Sequence, residues 1–173
     1  IRARDVTGVQ TCALPIFPGA GEIRRTAERL AGLSATPHGP VAVHALYGDL
    51  APELQDAAIA PASPGTRKVV LATAIAETSL TIDGVRLVID AGLARVPRFD
   101  PRSGMSRLVT ERVSLAGADQ RRGRAGRTEP GTCWRLWREG EEAALRPFAR
   151  PEILDADLAP LLLELALWGV PDA

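Results

Sequence analysis

The chain has 173 residues, 21 basic and 21 acidic side chains, and only 4% aromatics. With 46% hydrophobic and 24% charged residues it has the material for one ordinary domain with a buried core, and it is neither disordered nor collagen-like. No apolar run approaches the roughly 20 residues that span a bilayer, so a membrane partner is not expected, and two cysteines, Cys12 and Cys133, are too few for a disulfide framework and show no metal-ligand spacing.

Charge becomes informative when divided along the chain. Residues 1–94 carry 8 basic and 9 acidic side chains, residues 95–138 carry 11 and 4, and residues 139–173 carry 2 and 8. A neutral total therefore conceals a basic middle segment able to meet phosphate-rich partners. Lys68 is the only lysine, so the basic residues are otherwise arginine.

In chain order, residues 6–16 (VTGVQTCALPI) resemble the translation of a sequencing-library adapter, which makes residues 1–16 a foreign segment and places the natural start near Phe17. On that reading Cys12 carries no meaning. Read instead as native sequence, the stretch is a short strand ending in a Pro turn. From Phe17 the turn FPGAGEI leads into a helix whose Ile23, Ala27 and Leu30 form one apolar stripe. Residues 41–46 (VAVHAL) read as a strand broken by Tyr47-Gly48-Asp49, and Pro52 opens a short helix through Ile59. After a Pro/Gly loop, residues 68–73 (KVVLAT) and 85–90 (VRLVID) are nearly continuous apolar runs, the pattern of parallel strands covered on both faces. Residues 95–108, with Asp100-Pro101-Arg102-Ser103-Gly104 at the middle, read as a protruding β-hairpin. A helix begins the stretch 115–126, a strand occupies 132–136, and a short helix with a solvated Glu139, Glu141 and Glu142 face follows. This alternation predicts an α/β domain with a mostly parallel sheet and flanking helices. From Pro147 a second unit begins, with a leucine-rich helix over 158–168 that must be buried against something.

Two stretches carry chemistry. In Gln120-Arg121-Arg122-Gly123-Arg124-Ala125-Gly126-Arg127, Arg124 and Arg127 fall three apart on one face of a helical turn, and the small residues admit a phosphate chain. A guanidinium aimed at a transferring phosphoryl group neutralises charge in the transition state, an effect on the order of 10³ to 10⁵ in rate. Gln120 can hold the attacking water or a terminal phosphate oxygen. The second stretch, residues 73–82 (TAIAETSLTI), follows a strand at the sheet edge where doubly wound folds bind ligands. Its hydroxyls, Thr73, Thr78, Ser79 and Thr81, suit phosphate oxygens of a nucleic-acid backbone. His38 and His44 have no partners at metal spacing, Trp134 and Trp137 read as packing residues, and Cys133 reads as a buried strand thiol.

In this order and spacing the segments resemble the second RecA-like domain of the DEAH-box helicases of superfamily 2. FPGAGEI is similar to that family's motif IV, LYGDLAPELQ to motif IVa, ATAIAETSLTI to motif V and QRRGRAGR to motif VI. RFDPRSGMSRLV and PEILDADLAPLLLELALWG resemble its bacterial members. Ala74 stands where the family's motif V usually has a polar residue. The resemblance implies a RecA-like domain over residues 17–146 and the start of a winged-helix domain over 147–173. It further implies that Gln120, Arg124 and Arg127 reach the γ-phosphate of ATP, that Asp83 meets the ribose or the catalytic water, and that Ile59 packs on adenine. Thr73, Thr78, Ser79 and Thr81 would grip single-stranded RNA or DNA, with Arg98 and the hairpin guiding the strand. ATP and Mg²⁺ would be held mainly by a first RecA-like domain in cis, since no GxxxxGK[ST] loop or DEAH box occurs here. A cytoplasmic location goes with such a role. The competing function is a non-catalytic nucleic-acid-binding module built on the basic 95–138 segment.

Overall fold

The computed structural model describes residues 12–33, 35–37, 39–77, 81–127 and 130–170. Its strands are β1 (Cys12–Ile16), β2 (Ala35–Thr36), β3 (Gly39–Leu46), β4 (Arg67–Ala72), β5 (Val85–Asp90), β6 (Leu93–Asp100), β7 (Met105–Arg112) and β8 (Thr132–Arg135). Its α-helices are α1 (Ala20–Leu30), α2 (Pro52–Ile59), α3 (Leu115–Arg122) and α4 (Ala159–Leu167). One sheet runs β2-β3-β4-β1-β5-β8, parallel throughout except for the two-residue β2 against β3. β6 and β7 form a separate antiparallel hairpin.

Leu14, Ile16, Leu46, Val70, Ala72 and Val88 are all buried in one core cluster on one face of the sheet, and Leu71 is buried on the other. The expected strands at 41–46, 68–73, 85–90 and 132–136 and the helix starting at Pro52 all appear, within one or two residues. The hairpin is longer than its sequence signal because cross-strand pairing continues from Leu93 opposite Arg112 to Asp100 opposite Met105. Asp100 closes its turn by accepting from the backbone N–H of Arg102, 3.0 Å, and of Gly104, 2.9 Å. The helix expected after Glu139 is a 3-10 helix, Glu139–Ala144, and its Glu141 and Glu142 are ion-pair partners of Arg112 and Arg135 rather than a solvated face.

The strand before Phe17 is the element the sequence reading left unplaced. Cys12–Ile16 lies between β4 and β5 at the middle of the sheet, with Cys12, Leu14 and Ile16 facing the core. A foreign origin and a structural place are compatible, because a slot between two parallel strands asks only for a short apolar run. Burial pushes the Cys12 thiol up to about 11. At the other end of the chain, α4 forms as expected, but its leucines are exposed, Leu163 at 67% and Leu167 at 81%.

Among the described residues, Lys68, Asp90, Arg121 and Arg124 are charged side chains that are buried. Lys68 reaches from β4 to the C-terminus of α2, where its ammonium donates to the carbonyls of Ala57, 3.3 Å away, and Ala60. A cation at the carbonyl end of a helix satisfies acceptors that the helix leaves open. Burial lowers its pKa, while Cys12 and Asp83 hold it up. Arg121, on the last turn of α3, is fully buried. Its Nη1 donates to Asp90 Oδ1 at 2.7 Å and to the Leu93 carbonyl at 3.2 Å, and its Nε donates to Glu77 Oε1 at 2.6 Å.

Two outcomes follow from these buried charges. An acetylating reagent is expected to leave Lys68 unmodified in the folded chain and to modify it fully in urea; equal rates in both, by peptide mass spectrometry, would show that the ammonium is not held inside. Removing Arg121 strands the Asp90 carboxylate, so Arg121→Ala is expected to cost about 3–5 kcal/mol in urea unfolding. Its neighbour Arg122, 63% exposed in the side chain and 3.4 Å from Asp119, is expected to shift stability by less than about 0.5 kcal/mol when replaced by alanine.

Candidate functional site

Strand order determines the path of the first chemical stretch. β4 and β5 lie on opposite sides of β1, so the segment joining them must cross the sheet. It leaves the C-terminal end of β4 at Thr73, whose N–H donates to the Leu46 carbonyl at 3.1 Å. It turns through a 3-10 helix, Ala74–Glu77, in which Ala76 is buried. It arrives at the N-terminal end of β5 through Asp83 and Gly84, the latter accepting from the Cys12 N–H at 3.0 Å. Thr73 and Asp83 therefore sit at opposite edges of the sheet, not together at the C-terminal edge as the strand-end argument suggested. Thr78 and Ser79 lie outside the described residues.

The second stretch runs alongside the first. Ser114 caps α3 by accepting from the Gly117 N–H at 3.1 Å, which sets where the helix starts. The helix ends at Arg122, and the turn 123–126 packs inward: Ala125 joins the core, and a Cβ at Gly131 would meet the Ala125 carbonyl oxygen at 2.2 Å. Arg121 holds the Glu77 side chain, Arg124 donates through Nη2 to the Glu77 carbonyl, and Arg127 Nη1 lies 3.3 Å from Thr81 Oγ1. Motifs V and VI thus touch at three successive points.

Arg124 is only 7% exposed, whereas Arg127 is open to solvent. Burial and the neighbouring Arg127 both press the Arg124 pKa downward, partly offset by Glu77. Two guanidinium groups held near each other are mutually repulsive until an anion lies between them, which is the electrostatic form of a phosphate site. Asp83 is exposed and near enough to Lys68 to act on its charge, and Lys68 ties the carbonyls flanking Ile59. Lys68 thus relates Asp83 to the end of α2 that carries Ile59, and Thr81, two residues before Asp83, meets Arg127. Gln120 is exposed. It lines a cavity of about 520 Å³ together with Glu77, Arg95, Arg98, Phe148 and Arg150.

Arg98 on β6 is engaged by carboxylates. It contacts Glu111 on β7 at 2.5 Å and Asp155 beyond the 3-10 helix Glu152–Leu154. Glu111 also pairs with Arg146 at 2.7 Å, and these arginines hold its carboxyl below the usual carboxylate range. The position expected to contact nucleic acid is thus a tie between the hairpin and the following segment. At the root of the hairpin, Gly92 has φ of 72° and a Cβ there would meet Trp137 at 2.7 Å, so only glycine fits. Trp137 packs as expected, with the Arg135 guanidinium 5.6 Å from its ring centre, whereas Trp134 is 58% exposed. Cys133 is half-buried in β8, and His38 lies outside the described residues.

Sequence reasoning missed Arg121, Glu77 and Asp90 as a unit. The signal was present: Asp90 is a carboxylate closing the otherwise apolar run VRLVI, and a carboxylate on a buried strand needs a cation.

Comparison with known proteins shows the family and the fold. The family described as helicase conserved C-terminal domain matches residues 22–129. The chain is 50% identical over 159 residues to the ATP-dependent RNA helicase HrpB of Escherichia coli K12, covering 92% of this chain and 19% of that protein. It is 46% identical over 128 residues to the pre-mRNA-splicing factor ATP-dependent RNA helicase prp22 of Schizosaccharomyces pombe, covering 73% of this chain and 11% of the relative. A crystal structure of the E. coli DEAH/RHA helicase HrpB superposes with a TM-score of 0.85 at 49% identity, over 96% of this chain and 20% of the other. The chain spans about a fifth of HrpB. With its mostly parallel RecA-like sheet and its ordered motifs, the chain belongs to the helicase conserved C-terminal domain family, in the DEAH-box group.

Proposed function

We propose that this chain is the C-terminal motor half of an ATP-dependent helicase acting on single-stranded RNA in the cytoplasm. The observation that carries the reading is the contact of motif VI with motif V: Arg124 on the Glu77 carbonyl and Arg127 at Thr81. Arg124 and Arg127 serve as arginine fingers toward the γ-phosphate, and Gln120 orients the attacking water. Asp83 and Ile59 frame the ribose and adenine. Thr73 and Thr81, with Thr78 and Ser79 between them, hold the strand backbone through neutral donors.

The residues present fit a nucleotide held from one side only. Two adjacent arginines offer a charge-matched seat for phosphate, while the chain contains no phosphate-cradling GxxxxGK[ST] loop. Among the described residues, no three His, Cys, Asp or Glu side chains gather as a metal site. In this reading ATP and Mg²⁺ are held mainly by a first RecA-like domain in cis, with this chain closing over the phosphates. ATP supplies the cleavable phosphoanhydride, and this chain supplies positive charge at the developing oxyanions. Closure and reopening of the two domains would change the spacing of two backbone grips and advance the strand. Among the described residues no helix is long and apolar enough to cross a membrane.

The test uses a chimera in which residues 17–170 of this chain replace the matching segment of E. coli HrpB. Arg124→Ala is expected to lower ATP turnover by a factor on the order of 10³ or more while sparing poly(U) affinity. A pure binding module predicts the reverse: turnover kept, affinity lost and a shallower salt dependence. The isolated chain is expected to show no magnesium-dependent turnover, and turnover abolished by Arg124→Ala in that chain would contradict the assignment.

A further inference from the structure

Arg121 stands between the two fingers' end of the domain and the strand's end, and it cannot itself reach either ligand because it is fully buried. Its fork has three destinations. Through Nε it donates to Glu77 Oε1 at 2.6 Å, in the middle of motif V, with Nη2 at ion-pair distance from the same oxygen, 2.5 Å. Through Nη1 it holds Asp90, the last residue of β5, and the carbonyl of Leu93, the first residue of the hairpin. Asp90 Oδ1 also accepts from the Gly92 N–H at 2.8 Å, and the Gly92 carbonyl accepts from Val113 at the hairpin's exit at 3.0 Å. One side chain therefore ties the helix carrying motif VI to motif V and to the root of the hairpin.

The alternative is that Arg121 is only a brace for the core. A buried ion pair is a poor choice for that duty alone, since an apolar replacement of similar volume is often as stable. What a forked guanidinium adds is geometry: it fixes three separate acceptors at once, which neither a lysine nor a leucine can do. Nor is the network saturated. Among the described residues Asp90 Oδ2 accepts no hydrogen bond and Arg121 Nη2 donates none.

Resting on the motor reading above, we propose that Arg121 is a positioning residue. It makes the motif V grip and the hairpin move together with the Arg124 and Arg127 fingers, and so sets how strongly bound RNA accelerates ATP turnover. It touches neither nucleotide nor RNA. Glu77 is the side of the link facing motif V, and Asp90 with Leu93 is the side facing the hairpin.

The experiment compares Arg121→Lys and Glu77→Ala in the same HrpB chimera. Lysine keeps a cation opposite Asp90 and loses the fork. Glu77→Ala cuts only the motif V side, leaving Arg121 paired to Asp90 and Leu93 and leaving the backbone carbonyl that holds Arg124; it decides the matter if thermal melts show that Arg121→Lys does not fold. Turnover without RNA and poly(U) affinity are expected to stay within about twofold of the parent, while stimulation of turnover by poly(U) falls roughly tenfold, within the usual range of coupling between sites. Unchanged stimulation would make Arg121 a brace and overturn the proposal. Loss of RNA-free turnover together with stimulation, the pattern expected of Arg124→Ala, would place it at the nucleotide and overturn it equally. A parent chimera with no RNA-stimulated turnover would defeat the motor reading itself, and the proposal with it.

Discussion

The interaction on which the rest of the structure depends is the buried contact of Arg121 with Asp90 and Glu77. A guanidinium fully removed from water is tolerable only when its donors are matched by acceptors in fixed places. That requirement dictates where three pieces of backbone must be: the 3-10 turn of motif V, the end of β5 and the start of β6. Arg124 follows directly, because the turn 123–126 that carries it starts from the helix end that Arg121 holds.

Sheet topology supplies the second constraint. The chain builds β3 and β4 on one side of β1 and β5 and β8 on the other, so motif V has to cross the sheet between them. A connection that starts at the C-terminal end of one strand and finishes at the N-terminal end of the next offers different residues to two different edges. Thr73 belongs to one edge and Asp83 to the other, with Glu77 midway and clamped by motif VI. A segment of this shape presents different residues at two edges of the sheet and is held at its middle by the helix end that follows.

Much of this was legible from local patterning. KVVLA and VRLVID could only be covered strands, Pro52 marked the start of its helix to the residue, and Asp100 to Gly104 marked the hairpin turn. The unread features share a cause: each depends on a partner distant in sequence. Arg98 reads as a free basic residue on a hairpin until Asp155, 57 positions later, is folded against it. Motif V reads as one polar turn until strand order stretches it across the sheet. The strand Cys12–Ile16 was obscured in a different way, by a resemblance in the sequence around it. Its proline also weakens the signal, since Pro15 has no N–H to give a ladder and strands at the middle of a sheet seldom carry one. Apolar alternation at Cys12, Leu14 and Ile16 is enough to fill the slot, whatever the origin of the segment.

The charge pattern shows most clearly why composition cannot stand in for structure. Residues 95–138 carry 11 basic side chains against 4 acidic ones, which suggests a surface made for polyanions. Six of those arginines, Arg95, Arg98, Arg112, Arg121, Arg122 and Arg135, lie within ion-pair distance of carboxylates inside the chain. Several of the carboxylates come from the acidic segment that follows: Glu141, Glu142 and Asp155 answer Arg112, Arg135 and Arg98. The basic and acidic stretches fold onto each other, which offsets part of the segment's positive charge. This weakens the case for a binding module that works by bulk charge alone. It favours a domain in which a few arginines do specific work, because most of the others are already committed to holding the hairpin, α3 and the segment after β8 in place.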